Sequence, residues 1–235
     1  MNSAKSREVV LAMHDVSKNF STGGQSTHAV CNVSLEAKRG ELVLLLGPSG
    51  SGKTTILTLM AGFLRPTSGE VRLLGNDVGS CRPDDLQRFR ARSMGFVFQN
   101  FLLIDALTVT ENVMVVQEFC GTARKAARGK AGLLLQQLDV AHLGSRFPPT
   151  LSQGEKQRVA IARALANNPE VILADEPTAS LESSQAMEII EILRRLADEE
   201  NRCVVAASHD GRLRDQANTI VSLRDGKIEN ITPEA

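Results

Sequence analysis

Apolar residues fall in short runs along this chain, and the runs differ in period. "LVLLL" at 42–46 is continuous and ends at Gly47, the pattern of a strand buried on both faces of a parallel sheet. Upstream, residues 7–46 read as strands and turns. "VVLAMHDVSKNF" has strand-like content, "STGGQST" is a turn, "AVCNVSLEA" alternates imperfectly, and "KRGE" turns into the apolar run. Downstream, "GPSGSGKTTILTLMAG" reads as a loop followed by a helix. "RPTSGEVRLLG" reads as a turn and short strand, "PDDLQRFRAR" as a helix and "MGFVFQ" as a strand.

From about 100 to 165 the chain changes character. It is rich in Ala, Leu, Gln, Arg and Lys, with helical spacing in "RKAARGKAGLLLQQLDV", and "FPPT" breaks the pattern before Leu151. Strand–helix alternation then resumes through "EVILADEP", "SQAMEIIEILRRLADEE", "CVVAASHD" and "TIVSLRDGKIE". In the amphipathic segment Ile189, Leu193 and Leu196 share one face, which is core packing. No internal repeat or low-complexity linker appears. The pattern predicts an α/β core interrupted by a helical insert.

Composition narrows the function classes. The 235 residues are 42% hydrophobic, enough to bury a sizeable core. Lys+Arg and Asp+Glu balance at 27 each, without the basic excess of a nucleic-acid binder, so no nucleic-acid partner is expected. All eight aromatics are Phe. "MNSAKSREVV" lacks the apolar core of a signal peptide, and no apolar run approaches the ~20 residues that cross a bilayer. A soluble chain is expected, with any membrane role reached through a partner. The four cysteines are scattered and read as free thiols in a reducing compartment.

The strongest chemical signal is "GPSGSGKTT", residues 47–55. It matches G-x-x-x-x-G-K-[ST] at Gly47, Gly52, Lys53 and Thr54, between an apolar strand and a helix. Glycines let the backbone N–H groups curl inward and the helix N-terminus adds positive potential, which suits phosphate. Lys53 can reach the β- and γ-phosphates, and Thr54 offers a hydroxyl to Mg²⁺. The second signal is "VILADEP". Asp175 ends an apolar run and can hold the Mg²⁺ shell, while Glu176 beside it can polarise an attacking water. A third stretch, "LSQGEKQR", has Ser152 three residues before Glu155, the spacing of a helix capping box.

Taken in order, "GPSGSGKTT", "FVFQ", "LSQGEKQR", "ILADEPTASLE" and "AASHD" resemble the nucleotide-binding subunit of an ATP-binding cassette (ABC) transporter, across nearly the whole length. "GFVFQNFLLIDALTVTENV" is similar to the branch with lipoprotein-releasing, macrolide-exporting and cell-division ATPases. The resemblance implies an α/β fold: a P-loop NTPase (RecA-like) core with an N-terminal antiparallel β subdomain and a helical insert. It divides the chain into residues 1–99 (β subdomain and first part of the core), 100–164 (helical signature subdomain) and 165–235 (second part of the core).

The resemblance also assigns site residues. ATP would be bound by Gly47, Pro48, Ser49, Gly50, Ser51, Gly52, Lys53, Thr54 and Thr55, with Phe20 stacking on adenine where the family more often has Tyr. Gln99 would bind Mg²⁺ beside Thr54 and Asp175, sense the nucleophilic water and link to the helical insert. His209 would contact the γ-phosphate and hold the catalytic geometry with Glu176. "LSQGE" departs from the usual Leu-Ser-Gly-Gly-Gln at Gln153 and Glu155. Its Ser152 and Gly154 would complete the γ-phosphate site of a second copy packed head to tail, facing that copy's Lys53. Glu182 stands where the family has an Asp that contacts the opposite subunit.

The function so implied is ATP hydrolysis by an ATP-bound homodimer. It would drive an integral membrane permease subunit through the insert around Phe101–Val113, from the cytoplasmic face of the cell membrane. An alternative is a regulatory ATPase of the cell-division type that signals through a membrane partner without moving cargo. A soluble DNA-repair or translation ATPase fits 235 residues poorly. A P-loop GTPase lacks its Asn-Lys-x-Asp motif here.

Overall fold

The computed structural model describes residues 7–22 and 25–233. The tip of the expected "STGGQST" turn, Gly23–Gly24, and the first six residues lie outside them. β1 (Val9–Thr22) and β2 (Gln25–Lys38) are 14 residues each and run into that turn from both sides, so the strands extend further than the sequence predicts. β3 (Glu41–Leu46) and α1 (Lys53–Met60) follow, then β4 (Ser68–Leu73), β5 (Asn76–Asp77), α2 (Pro83–Ser93) and β6 (Met94–Val97). Three helices form the middle region: α3 (Val109–Phe119), α4 (Arg124–Gln137) and α5 (Gln153–Leu165). The chain closes with β7 (Val171–Asp175), α6 (Ser183–Asp198), β8 (Cys203–Ser208), β9 (Thr219–Arg224) and β10 (Lys227–Pro233).

Two sheets result. β2-β1-β4-β5 is antiparallel, and β10-β9-β3-β8-β7-β6 is parallel except for β10. The apolar runs predicted as doubly buried strands take the centre of the second sheet, where both faces are covered. Period-2 alternation sorts their side chains. Leu42, Leu44, Ile172 and Val204 face one core with α3–α6, while Val43, Leu45, Leu173 and Val205 face the other with α1 and the antiparallel sheet. Ile189, Leu193 and Leu196 of α6 are buried as the periodicity requires, each worth about 1.5–3 kcal/mol relative to exposure.

The last segment of the alternation, "TIVSLRDGKIE", is a hairpin. β9 pairs with β3 and β10 returns antiparallel at the sheet edge, around Asp225–Gly226. Asp-Gly between apolar strands is a strong hairpin signal, because both residues tolerate φ > 0. The run "FLLIDALTV" also divides. Leu102 (56% exposed) and Ile104 (45%) sit in the loop before α3, whereas Val109 and Val113 on α3 are fully buried.

Candidate active site

The parallel strands deliver their chemistry at one edge. Gly47 follows the end of β3, Gln99 that of β6 and His209 that of β8, while Asp175 is the last residue of β7. Sheets of this type bind ligands outside the carboxyl ends of their strands. Here those ends open into a cleft of about 500 Å³ whose lining includes Ser49, Gly50, Gly52, Lys53, Thr54, Thr55, Gln99, Glu176 and His209.

The loop 47–52 folds back over the start of α1. Gly52 caps the helix at φ 98°, and a Cβ there would meet the Ala29 carbonyl at 2.6 Å, so glycine is required. No side chain caps α1 and no acid occupies its first turn, which leaves its first N–H groups open to an anion. Lys53 is buried, and its ammonium donates to the Gly47 and Pro48 carbonyls at 2.8 and 3.0 Å. Pro48 and Gly47 therefore position the lysine. The Ser51 hydroxyl is buried beneath the loop with no protein partner among the described residues.

The carboxylates meet this loop from β7. Thr54 Oγ1 donates to Asp175 Oδ1 at 3.0 Å, pairing two hard oxygen donors of the kind Mg²⁺ takes. Burial pushes the Asp175 carboxyl above its ordinary range, against the Thr54 hydrogen bond. Glu176 sits at φ 47°, a left-handed backbone uncommon outside Gly, Asn and Asp. That backbone turns its carboxylate between two partners: Lys53 Nζ at 3.6 Å and His209 Nδ1 at 2.9 Å. The sequence-predicted Lys53, Glu176 and His209 thus form one chain of contacts, with Gln99 on the same cleft.

Other predicted residues lie apart from it. Phe20 is 40% exposed and does not line the cleft; its cross-strand partner Thr27 does. The Lys18 ammonium sits 5.3 Å from the Phe20 ring centroid. Ser152 and Gly154 open α5, away from the cleft lining. There the capping box forms in full: the Ser152 N–H donates to Glu155 Oε2 at 2.7 Å, and the Glu155 N–H donates to Ser152 Oγ at 3.3 Å. Those bonds hold the Glu155 carboxyl below its ordinary value, the Ser152 backbone N–H contributing most. Glu182 is the exposed N-cap of α6 and makes no side-chain cap bond.

Sequence reasoning passed over a support behind His209. Thr178 Oγ1 and the Arg212 guanidinium both donate to Asp210, and its N–H donates to Ser208 Oγ, which itself reaches Glu176 Oε2 at 3.3 Å. Arg212 first, and then the Thr178 hydroxyl, pull the Asp210 carboxyl down to about 2. The acid directly after His209 was the available signal. Also unforeseen are Thr27, His28, Ala29, Asp225 and Gly226 on the cleft wall. No local motif marks them, because tertiary pairing brings them there.

Residues 30–179 match the family described as ABC transporter. The chain is 38% identical over 221 residues to the putative hemin import ATP-binding protein HrtA of Staphylococcus haemolyticus, covering 94% of this chain and 100% of that one. It is also 38% identical over 222 residues to the macrolide export ATP-binding/permease protein MacB of Syntrophobacter fumaroxidans, covering 94% of this chain and 31% of the relative. Among solved structures, a dimeric post-hydrolysis state of the ATP-binding cassette MJ0796 bound to ADP and Pi superposes with TM-score 0.89 at 36% identity. It covers 95% of this chain and 98% of that chain.

Proposed function

Since this chain belongs to the ABC transporter family, as an ATP-binding and ATP-hydrolysing domain, we propose that it works as a head-to-tail homodimer that drives a membrane permease subunit. One observation carries the assignment of roles: Lys53, Thr54, Gln99, Glu176 and His209 converge on one cleft, beside a helix start left uncapped. In this reading the loop N–H groups hold the phosphates and Lys53 stabilises charge on the transferring phosphoryl group. Glu176 accepts a proton from the attacking water, and His209 fixes the carboxylate that does so. Mg²⁺, when bound, would neutralise phosphate charge; Thr54, Asp175 and Gln99 are the residues to hold it. Phe20, cross-strand to the cleft-lining Thr27, supplies the face for adenine.

Ser152 and Gly154 lie outside the cleft of their own chain, which supports a site completed by a second copy. The solved MJ0796 cassette is dimeric, and that supports the same reading. Glu155, turned back by its capping box, adds no unpaired carboxylate toward the neighbour's phosphate. We place the permease contact on an apolar groove of about 380 Å³ that reaches from the core to the helical region. Phe63, Phe96, Phe98, Val116 and Phe119 line it; Phe63 and Phe119 are 47% and 64% exposed. Leu102 and Ile104 are exposed and stay available to that partner, whereas Val109 and Val113 are buried and leave the contact expected around Phe101–Val113. Among the described residues no helix is long and apolar enough to cross a membrane. In this reading the permease partner holds the chain on the cytoplasmic face. The named relative MacB joins ATP-binding and permease functions in its name, which supports such a partner.

Glu176→Gln tests the reading. It should bind ATP and dimerise but hydrolyse at least about 100-fold more slowly, the usual contribution of a general base. Near-normal turnover would remove Glu176 from the mechanism. Incubated with ATP and detergent-solubilised membranes, the same variant should retain a permease. A partner with a large external domain and no cargo path would move the reading to signalling.

A further inference from the structure

The cleft has a wall that phosphate binding does not explain. Thr27, His28 and Ala29 of β2 and Asp225–Gly226 of the β9–β10 turn line it together with the phosphate loop. Three segments are stapled at its base. The Gly226 N–H donates to the Ser51 carbonyl at 3.2 Å, and the Cys31 N–H donates to the Gly226 carbonyl at 2.8 Å. A Cβ on Gly226 (φ 74°) would meet the Ala29 carbonyl at 2.7 Å, so the contact admits glycine alone. The turn is thereby fixed against the phosphate loop from one side and against β2 from the other.

Asp225 rides on that turn. It is exposed, sits at φ 49°, and no hydrogen bond or ion pair holds its carboxylate among the described residues. An anion beside a phosphate loop is an odd partner for phosphate itself; like charges there repel. It suits a neutral donor next to the phosphates. The position fits: Thr27 is the cross-strand partner of Phe20, and Ala29 abuts Gly52, so the wall spans from the aromatic to the phosphate loop. In a nucleotide the group between base and phosphates is the sugar, and acids accept from ribose hydroxyls in other nucleotide-binding folds.

We propose that the β9–β10 turn is the ribose-recognition element of this cleft, with the Asp225 carboxylate accepting hydrogen bonds from the ribose hydroxyls and Gly226 positioning it. The inference rests on the reading of the cleft as the ATP site.

Equilibrium binding of ATP and of 2′,3′-dideoxy-ATP to the full chain tests it. A hydrogen bond to a charged acceptor predicts that the wild type prefers ATP by about tenfold. Asp225→Gly, chosen because glycine accepts the φ of this position, should bring ATP down to the level of the dideoxy nucleotide and leave the latter unchanged. Asp225→Asn, which keeps the turn and one acceptor oxygen, should fall between. A wild type without the preference, or an Asp225→Gly protein that retains it, overturns the proposal. Where Asp225→Gly fails to fold, an Asp225→Asn protein with an undiminished preference does the same. Lys53→Ala separates the two levels, since it should weaken both nucleotides. If both still bind as in wild type, the cleft is not the ATP site and the reading beneath the proposal falls with it.

Discussion

Two helices of this protein begin at Ser- or Gly-containing corners, and they treat their first N–H groups in opposite ways. α1 starts at Gly52 with no side-chain cap and no acid in its first turn. α5 starts at Ser152 with both halves of a capping box closed by Glu155. Their nearby acids differ in the same sense. Burial raises the carboxyl of Asp175 beside α1, while backbone and side-chain hydrogen bonds from Ser152 lower that of Glu155 on α5. The α1 end is unfinished as folded and suits a ligand that completes it. The α5 end is complete in itself, so whatever it offers a neighbour comes from groups that remain after capping: the second lone pair of the Ser152 hydroxyl and the N–H groups of the first turn.

The sharpest way to break this contrast is Ser152→Arg. A bulky cation at the α5 start should abolish ATP hydrolysis while leaving ATP binding to the monomer intact, read by turnover and equilibrium binding. If turnover per folded dimer survives and the helical region is merely destabilised, α5 carries a cap and nothing more. Asp175→Asn works on the other end. It should remove most hydrolysis yet raise the thermal midpoint, as the cost of burying that charge is relieved. A lowered midpoint would show that the Thr54 bond outweighs the burial. The pH dependences should run in opposite directions. The cost at Asp175, with its folded pKa raised, is present at neutral pH and is relieved as pH falls through that folded value. The benefit at Glu155, with its folded pKa lowered, is present above the ordinary glutamate range near pH ~4.3 and is lost as pH falls through its folded value.

The smallest effect sharpens the comparison most. α3 carries the same device as α5, Thr108 and Glu111 in a closed capping box. Glu155→Ala and Glu111→Ala should each lower stability in chemical denaturation, because each opens one half of a capping box. Activity separates the two caps. If α5 faces a neighbour's nucleotide, Glu155→Ala loosens the end that must dock and lowers turnover, whereas Glu111→Ala leaves turnover near wild type. Equal activity losses would reduce both to ordinary caps.

How much of this was legible in the sequence depended on the range of the forces involved. The phosphate loop, the Asp175–Glu176 pair, the α5 cap and the buried face of α6 are written locally, in spacing and period, and the structure places them on the expected loops, strands and helices. The β9–β10 turn is legible as a turn but not as a wall, because its contact with Ser51 depends on strand order in the sheet. The exposure of Leu102 and Ile104 was readable in the run "FLLIDALTV"; the burial of Val109 and Val113 was not, since it depends on the helices packed around α3. The left-handed backbone of Glu176 has no sequence signal at all, being imposed where β7 ends against the loop.

Considered mechanically, α5 is a shaft. Its 13 residues span about 20 Å, with the exposed cap at one end. At the other end it is bolted down. The Arg163 guanidinium donates to the Phe101 and Leu102 carbonyls, just after Gln99, and the Asn167 amide donates to the Ala91 and Val116 carbonyls. One helix therefore joins Ser152 to the backbone that follows Gln99 and to the edge of the Phe63–Phe119 groove, so a displacement at the cap would reach both.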